Sequence, residues 1–390
     1  MMDWNTIAEQ LQPHYSHFNV QGRILLTGHS HQAWPNIARE AQLKAYDDAA
    51  LLVDDKWSRA FEKANAVRDF YLQRLGDTQG EIALGTNTQE LLVRWLSALP
   101  WREKNRIVTT DGEFHSMRRL LDRLNETDVD VVQVSAHPVA TLTDRLLAQV
   151  DDRTAAVMCS LVMFQSSEFV PNTGALAESL RQKGVPLLLD AYHLVNVIPF
   201  SMDDENLHDV FVVGGGYKYC QFGEGNCFLR VPKQCDWRPL VTGWYAEFAT
   251  LDQAPGKQVQ YGTGRWAFEG STYDPTSHYR AASVIEFFQN QGFSVEVLRD
   301  ISQAQLKFLT GELQQYEWPN DIELPSDDIA KRGGFLVIKT ARASALVTAL
   351  RAQNIFADSR GDSLRLGPAP YITAQQLKDA VRILHQVVLS

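Results

Sequence analysis

Polar and apolar positions alternate along this chain with two periods, and the switches between them mark its elements. From Asn36 to about Leu75 the apolar residues Ile37, Ala38, Leu43, Ala45, Ala49, Trp57, Phe61, Ala64, Val67, Phe70 and Tyr71 recur at helical spacing. That spacing predicts one or two amphipathic helices whose apolar residues pack a core, with Gly76 closing the last turn. Shorter apolar runs then take over: EIALG, RIVTT, VDVVQVS, AAVMCS, VPLLLD, VFVV and CFLRVP, most separated by helical stretches. Such alternation predicts a doubly wound α/β sheet. VPLLLD and VFVV are apolar throughout, as parallel strands buried on both faces are. A brief strand in RILLTG follows a short amphipathic N-terminal helix, and two helices are predicted from near Asp274 and over 294–315. Residues 333–388 read strand, helix, strand, helix, the pattern of a compact second unit.

The ends of these strands carry the chemistry. VPLLLD ends in Asp190, and VFVVGGGYKY delivers Lys218 after three glycines that let the backbone turn sharply or pass close to a ligand. Open α/β sheets bind ligands at the carboxyl ends of their strands. A lysine and a carboxylate presented there suit pyridoxal phosphate: its aldehyde needs an amine for a Schiff base, and its ring nitrogen needs an anionic partner. Lys218 is the predicted amine, Asp190 the partner, and His193 lies near enough to touch the same cofactor. In EIALGTNTQELL, Gly85 and Thr86 end a strand and Asn87 or Thr88 caps the next helix. A helix N-terminus attracts phosphate, so Thr86 and Asn87 are the predicted phosphate cradle. Phe114 and His115 sit in the turn after RIVTT, where an aromatic ring can stack on a pyridine face.

Composition narrows the class. The chain has 390 residues, 45% of them hydrophobic, and a formal charge of −10 with no basic block. Nucleic acid and anionic membranes are therefore not expected partners. The first residues, MMDWNTIAEQ, lack the basic start and apolar core of a signal peptide, and a cytoplasmic location is expected. Cys159, Cys220, Cys227 and Cys235 have no metal or redox spacing and read as reduced thiols. On a strand His29 and His31 would share a face, but they have no nearby Cys or carboxylate to complete a ligand set, so no metal is predicted.

DAYH at 190–193, YKY with glycines on both sides, and TGW at 242–244 resemble kynureninase and its relatives, the class V aminotransferase group of fold type I pyridoxal-phosphate enzymes. The resemblance spans about residues 20–385. It implies a large cofactor-binding domain over 40–250, with residues 1–39 and 251–390 forming an N-terminal arm and a small domain. It implies a cofactor site of Gly85, Thr86, Asn87, Phe114 with His115 in reserve, Ser166 or Ser167, Asp190, His193, Tyr217, Lys218 and Trp244. Thr272, in a Gly-Ser-Thr element of a long loop, would reach the cofactor phosphate of a neighbouring subunit, so a homodimer with shared sites is expected. Arg365 matches the arginine that binds the substrate α-carboxylate. The segment at His29 and His31 matches a family arm that reads close to GNSLG, which makes His29 an expected substrate contact and puts substrate identity in question.

The implied function is action on an amino acid through an external aldimine, with hydrolytic cleavage of a Cβ–Cγ bond, kynurenine to anthranilate plus alanine, as the leading expectation. Tyr217, Trp244 and the His29/His31 segment would recognise an aromatic ketone and activate water. Transamination or another lyase reaction needs only the core set and is the alternative. Cysteine desulfurases use a cysteine on a later loop, and here the last one is Cys235, before that loop. A non-catalytic protein on the same fold is the remaining alternative, against which stand Lys218, Asp190 and Arg365.

Overall fold

The computed structural model describes residues 3–254, 256–325 and 328–390. Its strands, in chain order, are β1 (Ile24–Leu25), β2 (Gly80–Gly85), β3 (Arg106–Thr110), β4 (Asp130–Val134), β5 (Thr154–Ser160), β6 (Leu187–Asp190), β7 (Phe211–Gly215), β8 (Cys227–Pro232), β9 (Leu336–Lys339), β10 (Ile355–Phe356), β11 (Asp358–Arg360) and β12 (Ser363–Leu366). Seven of them form the central sheet in the order β2, β8, β7, β6, β5, β3, β4. Strands β7, β6, β5, β3 and β4 run parallel, while β8 pairs antiparallel with both β7 and β2. Every residue of β5, β6 and β7 is buried, as an all-apolar parallel strand covered on both faces requires.

The predicted helical stretch 36–75 is two helices, Ile37–Leu52 and Lys56–Leu75. The second buries Ala60, Ala64, Val67, Phe70, Tyr71 and Leu75, and ends at Gly76 in the left-handed conformation. The first differs from expectation. It buries Ala38, Ala41, Ala45 and Asp48, whereas Leu43 is 54% exposed and Ile37 also faces out. Small residues let this helix pack closely on Thr276–Asn290, and the buried Asp48 is satisfied by Lys44, Arg59 and Tyr279.

The C-terminal part is a three-stranded antiparallel sheet, β11–β12–β9, with helices Val295–Leu313, Ala343–Ala352 and Ala374–Leu389. Helix Ala374–Leu389 opens with a reciprocal capping box between Thr373 and Gln376. β1 and β10 pair in parallel as a separate two-stranded sheet that ties the N-terminal arm to the C-terminal part, a contact between two-residue strands that periodicity does not signal. No helix among the described residues is long and apolar enough to cross a membrane.

The glycines at 214–216 serve a different purpose from the one expected. None has a positive φ. A Cβ on Gly215 would stand 2.2 Å from the Tyr192 hydroxyl, and one on Gly216 would stand 2.4 Å from the Phe222 ring. They make room for packed rings, and through those rings they fix where Lys218 emerges.

Candidate active site

A cleft of about 230 Å³ opens at the carboxyl ends of β5 and β6, and Lys218, Asp190, His193, Tyr192, Tyr217, Phe114, Ser160 and Asn87 are among the residues that line it. Lys218 is buried, with its Nζ 2.8 Å from His193 Nε2 and 5.2 Å from the centre of the Phe114 ring. Burial holds the lysine at about 7. The charge of Asp190 opposes that shift, and the charges of Arg365 and Arg360 reinforce it. An amine near 7 is available as a free base at neutral pH. His193 is held well below its usual range by burial and then by Lys218, so it is a neutral hydrogen-bond partner.

Asp190 is pushed up by burial, against the Tyr192 N–H, which donates to its Oδ1 at 2.8 Å, and against the charge of Lys218. No other hydrogen bond to this carboxylate is formed among the described residues, so an acceptor oxygen remains open in the cleft. Tyr217 is held above its ordinary value by burial and stays a neutral donor.

The helix Thr88–Ser97 starts at the cleft wall, with Asn87 as its cap accepting from Glu90 N at 2.9 Å. Thr86 donates through N and Oγ1 to Glu90 Oε2, at 3.2 and 2.6 Å, and Glu90 also pairs with Arg94. A carboxylate thus rests on the predicted cradle, while Thr88 and Gln89, in the first turn where N–H groups lack intrahelical acceptors, line the cleft.

The remaining predicted residues divide. Phe114 lines the cleft, and the exposed His115 stands behind it, 5.3 Å away ring to ring. Ser166 and Ser167 are absent from the lining. Ser166 Oγ accepts from Glu168 N, and Ser167 is buried with its hydroxyl unpartnered. Ser160, which the sequence reading did not single out, lines the wall instead.

Gly85 and Thr272 lie in an adjoining cleft of about 440 Å³ that shares Thr86, Gln89 and Gly225 with the first. Trp244 lines neither; it is 43% exposed and stacks on Phe248. His29 is fully buried, with Nε2 2.8 Å from Asp358 Oδ1 and its ring stacked on Phe335. His31 is the histidine at the mouth: it stacks on Tyr217 at 4.8 Å and lies 3.5 Å from Glu224, which lines the cleft.

Arg365 has an internal carboxylate partner. Its Nε and Nη2 engage Asp358, its Nη1 donates to Phe164 O at 2.6 Å, and the side chain is 2% exposed. Arg360, two residues beyond Asp358 on β11, is 37% exposed with its Nε unpartnered. Its charge acts on Lys218, His193, Tyr217 and His115, and its identity in the sequence alone carried no signal of that reach.

These residues fit pyridoxal phosphate: a buried amine near 7, a buried carboxylate with an open acceptor, an aromatic ring on the cleft wall and a helix N-terminus at one end. The comparisons agree. The kynureninase C-terminal domain matches residues 298–384. A kynureninase of Xanthomonas campestris pv. campestris is 26% identical over 330 residues, covering 78% of this chain and 75% of its own. An uncharacterized aminotransferase of Bacillus subtilis, YcbU, is 24% identical over 342 residues, covering 87% of this chain and 88% of its own. Among solved structures, a C-DES mutant with glycine covalently linked to its PLP cofactor superposes with a TM-score of 0.80 at 14% identity, covering 96% of this chain and 98% of that one. A cysteine desulfurase from Thermococcus onnurineus superposes at 0.79, also at 14% identity, covering 98% of each chain. The chain has the fold type I pyridoxal-phosphate transferase fold with a site that fits the cofactor, and in sequence it resembles the kynureninase-like enzymes of the class V aminotransferase group.

Proposed function

We propose that this enzyme cleaves the Cβ–Cγ bond of an amino acid whose side chain carries a ketone, in the manner of a kynureninase, releasing anthranilate and alanine from kynurenine. The observation that carries this reading is the set at the cleft mouth. Tyr217, a neutral donor beside Lys218, is stacked by His31, and His31 is close to Glu224. A side-chain ketone needs a donor on its oxygen and a base for water, and these three residues offer both.

Bound pyridoxal phosphate supplies an electron sink for the charge released at the substrate's Cα. Lys218 Nζ, a free base near neutral pH, takes the proton from Cα, and His193 Nε2 holds that amine in place. Asp190, with one oxygen open, would partner the ring nitrogen of the bound cofactor. Thr86, Asn87 and the first turn of their helix would hold the phosphate, with Glu90, now on Thr86, already paired to Arg94. Phe114 closes one wall against water. Arg365 holds the α-carboxylate through the N–H groups that Asp358 and Phe164 leave open, since a guanidinium has five and three are engaged.

Residues 40–250 are the proposed cofactor domain, with the arm and small domain on either side, and the setting is cytoplasmic. A homodimer is proposed, with Thr272 serving the partner's site. The exposed Leu240, Val241, Trp244 and Leu251 near that loop support an interface there. Transamination is the second reading, favoured by the Bacillus subtilis relative described as an aminotransferase. Product analysis with kynurenine, with and without a keto acid, separates the two.

A further inference from the structure

Glu113 is a second buried carboxyl behind the wall of the Lys218 cleft, and nothing in the proposed reaction uses it. It sits between β3 and the helix His115–Leu124 and is 2% exposed. Its Oε1 accepts from Thr110 Oγ1 at 2.6 Å and from Ser160 N at 3.1 Å, and its Oε2 lies 2.6 Å from Ser160 Oγ. Ser160 ends β5 and is the register partner of Asp190, which ends β6. Register partners in a parallel pair project to the same face, and both residues line the cleft. Ser160 therefore stands between two buried carboxyls, Glu113 behind and Asp190 beside it.

Two such groups cannot both be ionised cheaply. Asp190 has a cation, Lys218, to offset its charge. Glu113 has only neutral donors, and burial, with the charge of Asp190 adding to it, lifts it to about 7 against the three hydrogen bonds. The titratable groups that face it are Asp190 on β6 and Cys159 on β5, and burial keeps the Cys159 thiol protonated. A hydroxyl has one proton to donate. When Glu113 is ionised, Ser160 must spend that proton on Oε2. When Glu113 is protonated, it donates to Ser160 Oγ and the serine proton is free to turn away from it.

We propose that Glu113 is a positioning residue whose proton sets the direction of the Ser160 hydroxyl, so that a neutral Glu113 turns that O–H into the cleft as a donor beside Asp190 and an ionised one withdraws it. This rests on the cofactor reading for its consequence: the site holds pyridoxal phosphate more weakly as Glu113 loses its proton. It also gives a reason for an acid where an amide would serve Thr110 Oγ1 and Ser160 N equally.

The test compares Glu113→Gln with the wild type, because glutamine keeps both acceptor bonds of Oε1 and mimics the protonated acid at every pH. Pyridoxal phosphate affinity of the apoproteins is measured by equilibrium dialysis from pH 6 to 8.5. Lys218 titrates in the same range but is common to both proteins, so the ratio of their affinities reports Glu113. The expected ratio is near one at pH 6 and shifts roughly threefold to tenfold in favour of the glutamine variant by pH 8.5. A ratio that stays constant overturns the proposal. Ser160→Ala has no hydroxyl to turn, so its affinity should lack the part of the pH response that glutamine removes; if it keeps that part, the proposal is wrong even where Glu113→Gln fails to fold.

A second arm needs no cofactor. Glu113 is raised in the folded state, so its contribution to stability falls as pH rises from about 4.5 to about 7. The melting temperature of apo Glu113→Gln minus that of the wild type should rise across this window and level off above it. A flat difference means that Glu113 is ionised throughout and the inference fails. If neither protein binds pyridoxal phosphate, it is the proposed function that fails, and the melting arm still decides where the Glu113 proton sits.

Discussion

Lys218 Nζ and His193 Nε2 lie 2.8 Å apart inside a wall of aromatic rings, a pairing that holds the amine in place while burial sets when it can act as a base or nucleophile. His193 stays neutral at working pH, so it stabilises Lys218 by a hydrogen bond without adding a charge that would compete with it. Covalent capture of pyridoxal phosphate by the apoprotein needs the free amine. Its rate should rise with pH through about 7 and level off above, because burial lowers the lysine to that value. Lys218→Ala should yield no cofactor linkage that borohydride can trap, read by mass spectrometry of the reduced protein. A trapped linkage in that variant would move the amine elsewhere.

Asp190 acts on the same titration from the other side. Its charge raises Lys218, so Asp190→Asn should shift the midpoint of cofactor capture to lower pH while cutting turnover by about a hundredfold or more through the lost ring-nitrogen partner. An unshifted midpoint with normal turnover would remove Asp190 from both roles.

Two arginines of one hairpin have different surroundings, and kinetics should tell them apart. Arg365 is held by Asp358 and Phe164, whereas Arg360 is 37% exposed and 3.9 Å from Asp358. Arg365→Ala should raise KM for every amino acid on the order of tenfold or more and also lower stability, since it leaves the half-buried Asp358 with only His29 and, at 3.9 Å, Arg360 beside it. Arg360→Ala should leave stability unchanged and raise the pH at which Lys218 captures the cofactor, because one nearby positive charge is gone. If Arg360→Ala alone raises KM across the panel, the α-carboxylate sits on Arg360.

The strand ends that hold Lys218 and Asp190 were legible in the sequence because an all-apolar run followed by a polar residue is a local signal. Helix Thr88–Ser97 was legible too, and of the two cap candidates, Asn87 and Thr88, it is Asn87 that caps it. Ser160 was not. It enters the cleft because β5 and β6 pair in a register that sets it beside Asp190, and register between strands some 30 positions apart leaves no mark on either segment. Ser166 and Ser167 lie in the next turn and looked equivalent. The Asp358–Arg365 pair was hidden likewise, since it depends on the antiparallel register of β11 with β12, and β11 is only three residues long. At 214–216 the glycines were visible but their reason was not, because the rings they accommodate come from distant segments.

Assembly has its own test. Thr272 lines the adjoining cleft rather than the one that holds Lys218, so within one chain it has no place beside the amine. A homodimer with shared sites predicts that two inactive variants, Lys218→Ala and Thr272→Ala, regain about a quarter of wild-type activity when mixed at equal amounts and allowed to exchange subunits, as random pairing would give half hybrids with one intact site each. Sedimentation should show a dimer. A monomer, or a mixture that stays inactive after exchange has been verified, would sink the shared site.

The reaction itself is decided by products. Kynurenine, 3-hydroxykynurenine and a panel of ordinary amino acids are incubated with the holoenzyme, with and without a keto acid. Hydrolytic cleavage should give anthranilate or its hydroxylated form plus alanine with no keto-acid requirement, whereas transamination depends on one. The cleft mouth makes a sharper prediction. Tyr217 is the donor for the side-chain ketone, and His31 with Glu224 is the base for water, so Tyr217→Phe and His31→Ala should each lower kcat for a ketone substrate by about 10²-fold or more. Tyr217→Phe keeps the ring beside Lys218 Nζ, and neither change replaces Lys218 or the phosphate cradle, so both variants should still exchange the Cα proton of the substrate for solvent deuterium at a rate near wild type. Loss of exchange together with cleavage would place Tyr217 or His31 in the step at Cα, and unchanged cleavage in both variants would remove the cleft mouth from the chemistry.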